Sequence, residues 1–152
     1  MKVEKDFEEF IKLLNYHKIK YVIVGAYALI YYTLPRNTGD IDIFIEASEL
    51  NAGKILDVLK DFGFQSMELQ KEDFLKPDIV IQLGYPPNRI DIITGVSGIS
   101  FSEVYNNRVE IKMGTEKVWI ISANDLLKNK KSTNRAKDKA DAELLEKFLQ
   151  RK

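Results

Sequence analysis

Two aspartates alternate with isoleucines in DIDIFI, residues 40–45. Aspartate is disfavoured inside strands, and its charge is costly wherever a strand is covered. Side chains alternate along a strand, so Asp40 and Asp42 share a face at a separation of about 7 Å. Ile41, Ile43 and Ile45 then point to the other face. Two like charges this close resist ionising together unless a cation lies between them. Carboxylates suit hard ions, and Mg²⁺ typically takes one or two of them along with phosphate oxygens. A third acid, Asp91, sits between Ile90 and Ile92 in RIDII (89–93). A neighbouring strand that brought it beside the first pair would build a two-ion site for in-line phosphoryl chemistry. The D-x-D triplet by itself also fits a half-exposed strand with no ligand.

Upstream, VIVGAYAL reads as strand, glycine, helix. Such a turn leaves unpaired backbone N–H groups at a helix N-terminus, a seat for phosphate, and Gly25 permits close approach there. Many β-to-α turns carry glycine for packing alone. Downstream, NRAKDKAD opens the last helix; Lys137 and Asp141, four apart, fit a surface pair worth a few tenths of a kcal/mol. The sole histidine, His17, ends the first helix, where interaction with the helix C-terminus explains it. With one histidine and no cysteine, histidine triads and zinc sites have little to draw on. Trp119 and the tyrosines of 27–32 are most economically core, with Tyr27 or Tyr31 available to stack on a base.

The elements that must position these groups follow from periodicity. Phe7, Phe10, Ile11 and Leu14 predict an amphipathic helix over 4–17. YVIV (21–24) is a short buried strand, followed by a helix in AYALIYYT that Pro35 closes, and then the strand 40–45. Ser48 caps a helix whose apolar face is Ile55, Leu56, Leu59 and Phe62, ended by Gly63. IVIQLG (79–84), the YPPN turn and RIDII form one hairpin. VEIKM (109–113) and KVWII (117–121) form a second around Gly114. Ser122 with Asp125 resembles a capping box for a short helix. The last helix starts near Ala136 and packs Ala140, Leu144, Leu145, Phe148 and Leu149. Helix, strand, helix, strand, helix, two hairpins and two helices imply an α+β domain, a mixed sheet with helices mainly on one side.

The 152 residues fit one domain, 1–152, with a core that needs no staples. The absence of cysteine suits a reducing compartment, and neither a signal peptide nor a bilayer-length apolar run is visible, so a cytoplasmic protein with no membrane partner is expected. Net charge is zero, yet residues 128–139 hold six bases against one acid, +5, which leaves −5 elsewhere. That pattern excludes a broad nucleic-acid footprint and allows a local anion site.

Taken together, Gly25-Ala26, Arg36-x-Thr38-x-Asp40-x-Asp42, Asp91 and Arg135-x-Lys137-Asp138-x-x-Asp141 resemble the DNA polymerase β-like nucleotidyltransferase superfamily. More narrowly they resemble small stand-alone members related to AbiEii-type toxins. The resemblance spans residues 22–141. It implies a nucleotidyltransferase fold in which Asp40, Asp42 and Asp91 are catalytic and hold two Mg²⁺ ions, or Mn²⁺. It implies nucleotide-binding roles for Gly25, Ala26, Arg36, Thr38, Arg135, Lys137 and Asp138. An NMP would pass from an NTP such as ATP to a hydroxyl on tRNA, a protein or a small molecule, with an antitoxin protein as partner. Where the family has Gly-Gly or Gly-Ser this chain has Gly25-Ala26, so a serine hydroxyl for the triphosphate is missing. That departure supports an alternative, a nucleotide-binding regulatory module with weak or lost catalysis; three retained acids speak against it. A purely structural domain would gain stability from Asp-to-Asn changes and ignore Mg²⁺.

Overall fold

Phe7, Phe10, Ile11 and Leu14 form the buried stripe of helix α1 (Lys5–Tyr16), as their spacing predicts. The structure is a computed structural model and describes residues 4–34, 38–64, 68–85 and 88–151. After α1 come β1 (Tyr21–Val24), α2 (Gly25–Tyr32), β2 (Asp40–Ile45) and α3 (Glu49–Phe62). Then follow β3 (Val80–Tyr85), β4 (Asn88–Ile93), α4 (Phe101–Asn106), β5 (Val109–Met113), β6 (Glu116–Ile120), α5 (Ala123–Lys131) and α6 (Ala136–Gln150). The strands form one mixed sheet in the order β3-β4-β2-β1-β6-β5, flanked by the helices, which is the expected α+β architecture.

Both predicted hairpins are antiparallel pairs, and each attaches through its second strand in parallel: β4 to β2 and β6 to β1. Every residue of β1 is buried, as its central place requires. Ile41, Ile43 and Ile45 are wholly inside, while Asp40 and Asp42 share the more open face. Ser48 Oγ accepts from the Asn51 N–H and Gly63 closes α3 at φ 101°, the two caps the sequence announces. The Tyr32 hydroxyl donates to the Ile121 carbonyl at 2.7 Å and ties α2 to the end of β6.

Several details depart from expectation. Helix α4, capped by Ser100 accepting from the Glu103 N–H, stands between the hairpins, and a 3₁₀ turn covers Lys71–Phe74. Neither is long enough to show a period. In α6 the inward stripe is Asp138, Asp141, Ala142 and Leu145; Ala140 is exposed, and Leu144, Phe148 and Leu149 are half-buried. Two acids therefore occupy the face on which only apolar residues were expected. His17 pairs with Asp61 of α3 at 2.7 Å as well as ending α1. Tyr27 is core, edge-on to Phe7, whereas Tyr31 is 45% exposed. The YPPN turn lies partly outside the described residues. Among the described residues, no helix is long and apolar enough to cross a membrane.

Candidate active site

The parallel pairing of β2 with β4 sets Asp42 opposite Asp91 and Asp40 opposite Arg89. A square of three acids and one base results, on one face of the sheet, from segments far apart in the chain. Asp91 joins the first two aspartates as the sequence proposed. Arg89 was not anticipated. Its Nε donates to Asp91 Oδ1 at 2.8 Å, and its Nη2 donates to Asp91 Oδ2 at 3.1 Å and to Asp40 Oδ2 at 3.0 Å. The signal was available in RIDII, since residues two apart on a strand share a face.

Asp42 has a different neighbour. It pairs with Val24, the last residue of β1, so its carboxylate lies against the residue that follows, Gly25. A β-carbon at Gly25 would overlap that carboxylate, and the backbone there has φ 69°. Gly25 thus answers two demands that no other residue meets together. The close approach it permits here is that of the Asp42 carboxylate. Burial raises the Asp42 carboxyl to about 6, and the charges of Asp91 and Asp40 add to the effect. Arg89 offsets this only in part, because it bonds the other two acids.

The facing wall comes from α5 and α6. Lys130, half-buried, reaches both Asp138 and Asp141 at 3.2 Å. The Thr133 hydroxyl donates to Asp138 Oδ2 at 2.6 Å and Arg135 Nε donates to the same oxygen at 2.8 Å. Burial works against the Asp138 charge, yet bonds from Thr133, Arg135 and Lys130 win and hold the carboxyl down at about 2. Asp141 takes Lys130 rather than the Lys137 partner suggested by the four-residue spacing. Lys130 hid inside a run of lysines, but it stands four residues after the buried Leu126 and so shares that helix face.

Between the walls lies a cleft of about 410 Å³. Gly25 and Ala26 line it from the start of α2, Thr38 from the segment just before β2, Asp40 and Asp42 from β2, and Arg135, Lys137 and Asp138 from the entry to α6. The sequence had singled out all eight. Val24, Ile93, Val96, Ser97, Asn129, Lys130, Thr133 and Asp141 complete the lining. Asp91 is not part of it; its carboxylate is 8% exposed and engaged by Arg89. Thr38 donates to the Asp40 carbonyl at 3.4 Å and not to a carboxylate. Arg36 lies outside the described residues.

Among the described residues, no group of three or more acidic, histidine or cysteine side chains is disposed to hold a metal ion as it stands, the Asp40–Asp42–Asp91 cluster included, in which Arg89 takes up Asp91 and one oxygen of Asp40. The donor set nevertheless fits a hard divalent ion. Asp42 sits within hydrogen-bonding reach of Asp91, and its raised carboxyl marks negative charge that the protein leaves uncompensated. Asp40 and Asp42 open onto the cleft with oxygen donors alone. The arrangement sets carboxylates across from a wall of lysine and arginine. A polyanion and a cation can be held together between them.

Comparison with known proteins gives the family and the fold. Residues 2–147 match a family described as nucleotidyltransferase of unknown function (DUF6036). The chain belongs to that family. A lincosamide antibiotic adenylyltransferase, LnuA, solved with lincomycin bound, is similar in structure at a TM-score of 0.58 and 16% identity. That likeness covers 97% of this chain and 98% of LnuA. The antibiotic-resistance factor ANT(2'')-Ia has a TM-score of 0.60 at 11% identity, covering 95% of this chain and 82% of its own. At such identities the likeness is one of fold, that of the DNA polymerase β-like nucleotidyltransferases, shared with antibiotic adenylyltransferases. No curated protein matches by sequence.

Proposed function

We propose that the chain, acting as one domain over 1–152, is a Mg²⁺-dependent nucleotidyltransferase that moves an NMP from an NTP, ATP first among them, to a hydroxyl acceptor. The observation that carries this is the placement of Asp40 and Asp42 on one wall of a cleft whose other wall holds Lys130, Arg135 and Lys137. Asp40 and Asp42, with Asp91 behind them, would hold one or two Mg²⁺ or Mn²⁺ ions. When bound, such ions neutralise phosphate charge and favour the ionised hydroxyl.

The chain's own groups do the rest. Backbone N–H groups at the Gly25-Ala26 turn receive phosphate oxygens, as helix starts do. Ala26 contributes no hydroxyl, so this hold rests on the backbone. Arg135 and Lys137 draw the departing pyrophosphate, Asp138 orienting Arg135 through its 2.8 Å bond. Nucleotide-binding roles for Thr38 and Arg36 rest on the motif match. The acceptor oxygen bonds to the α-phosphorus, the bond from that phosphorus to the β-bridging oxygen breaks, and the hydroxyl proton passes to a carboxylate of the array.

A small hydroxylated molecule is the first acceptor to test, because the similar structures are antibiotic adenylyltransferases and a chain of zero net charge lacks a broad RNA footprint. Acceptors on tRNA or protein, an antitoxin partner and AbiEii-type kinship rest on the motif match. A cytoplasmic setting rests on the lack of cysteine.

The test mixes protein, Mg²⁺ and each α-³²P-labelled NTP with a host lysate, with Asp40→Asn as control. Label on RNA, protein or a small molecule is expected with the native chain only. Equal labelling by the Asn variant, which should fold normally, would sink the assignment. No label, with Mg²⁺-dependent ATP binding retained, would favour the regulatory module.

A further inference from the structure

We propose that Arg89 is a resident cation of the aspartate array, so that the array takes one divalent ion, not two, until a nucleotide brings further charge. This rests on the reading above that the array binds divalent metal. Three ionised aspartates carry three negative charges. Arg89 removes one, and a single divalent ion neutralises the remainder.

The bonds show how that charge is distributed. Arg89 engages both oxygens of Asp91 and one oxygen of Asp40. Among the described residues no hydrogen bond joins it to Asp42. Asp91 is thereby withdrawn from the cleft, while Asp40 and Asp42 still line it. The place of entry for an ion is thus the Asp40–Asp42 side, and the Asp91 side is already satisfied.

Arginine suits the task better than lysine. Its guanidinium stays charged and its planar fork meets two carboxylates at once. The register fixes the fork, because Arg89 stands opposite Asp40 and two residues before Asp91 on the same face. An ion pair kept for stability alone would lower the unfolding midpoint when removed, but it would not set how many ions bind or how tightly.

The experiment titrates Mn²⁺ into the full chain without nucleotide and reads free Mn²⁺ by electron paramagnetic resonance. Sites of the array are those lost in Asp42→Asn. The native chain should bind one ion there. Arg89→Gln should bind it about tenfold more tightly, since a unit positive charge has left ion-pair range of a half-buried site. Arg89→Lys keeps the charge and should stay near the native affinity. Two array ions in the native chain, or binding by Arg89→Gln that is equal or weaker, overturns the proposal. If Arg89→Gln does not fold, the native stoichiometry and the lysine variant decide. Failure of the native chain to bind Mn²⁺ even with ATP present removes the metal reading as well, a result distinct from binding that ignores Arg89.

Discussion

Replacing Gly25 by alanine tests the contact on which the site is built. Alanine at φ 69° is strained, by about 1–2 kcal/mol for a left-handed residue with a β-carbon. That β-carbon would also overlap the Asp42 carboxylate, which must move, and overpacking of this kind costs roughly 1–3 kcal/mol more. Gly25→Ala should therefore lose about 2–5 kcal/mol in urea unfolding. The two parts separate in a double-mutant cycle. Asp42→Ala removes the carboxylate, so Gly25→Ala in that background should cost only the backbone share. The expected coupling is at least about 1 kcal/mol. Costs that add within about 0.5 kcal/mol would refute the claim that Gly25 is kept for Asp42, and would return the glycine to a purely local turn role.

Asp42 also makes stability depend on pH. Its carboxyl is raised from 3.8 to about 6, so between these values the folded chain holds more protons than the unfolded one. Stability should then fall as pH rises from about 4 to 6 in EDTA, by up to roughly 3 kcal/mol. Urea melts of Asp42→Asn should lose that slope and show a more stable protein at pH 7; equal slopes would contradict the buried-charge account. Such a gain would not argue for a purely structural domain, since a metal site stripped of its ion behaves likewise, and the Mg²⁺ response decides between them. Lys130→Met should leave Asp138 and Asp141 buried without their shared cation, at about 3–5 kcal/mol. An unchanged denaturation midpoint would show that Thr133 and Arg135 suffice.

The aspartates and the glycine were legible because each breaks a local rule: acids in an isoleucine strand, a glycine between strand and helix. Ser48 and Ser122 were legible as caps, and both accept from an N–H three residues on. Arg89 and Lys130 escaped notice because a base beside a turn or within a lysine run looks solvated until its partners are known. Of those partners only Asp91 shares an element with its base; Asp40, Asp138 and Asp141 lie on other elements. Nor does any local pattern say that β4 pairs with β2 in parallel, since that pairing bridges α3 and a hairpin. Helix α4 offered a serine and a glutamate three residues apart, a readable cap, but six residues are too few to show a helical stripe.

The β2–β4 register has a consequence for how the chain reaches its native state. In the native alignment the isoleucines of both strands meet on one side while the acids meet Arg89 on the other. Sliding β4 by one residue would turn Asp91 and Arg89 toward the isoleucine layer and expose Ile90 and Ile92. Misaligned intermediates are thereby penalised on both faces at once. The charges that a reaction would use also proofread the assembly of the sheet that carries them.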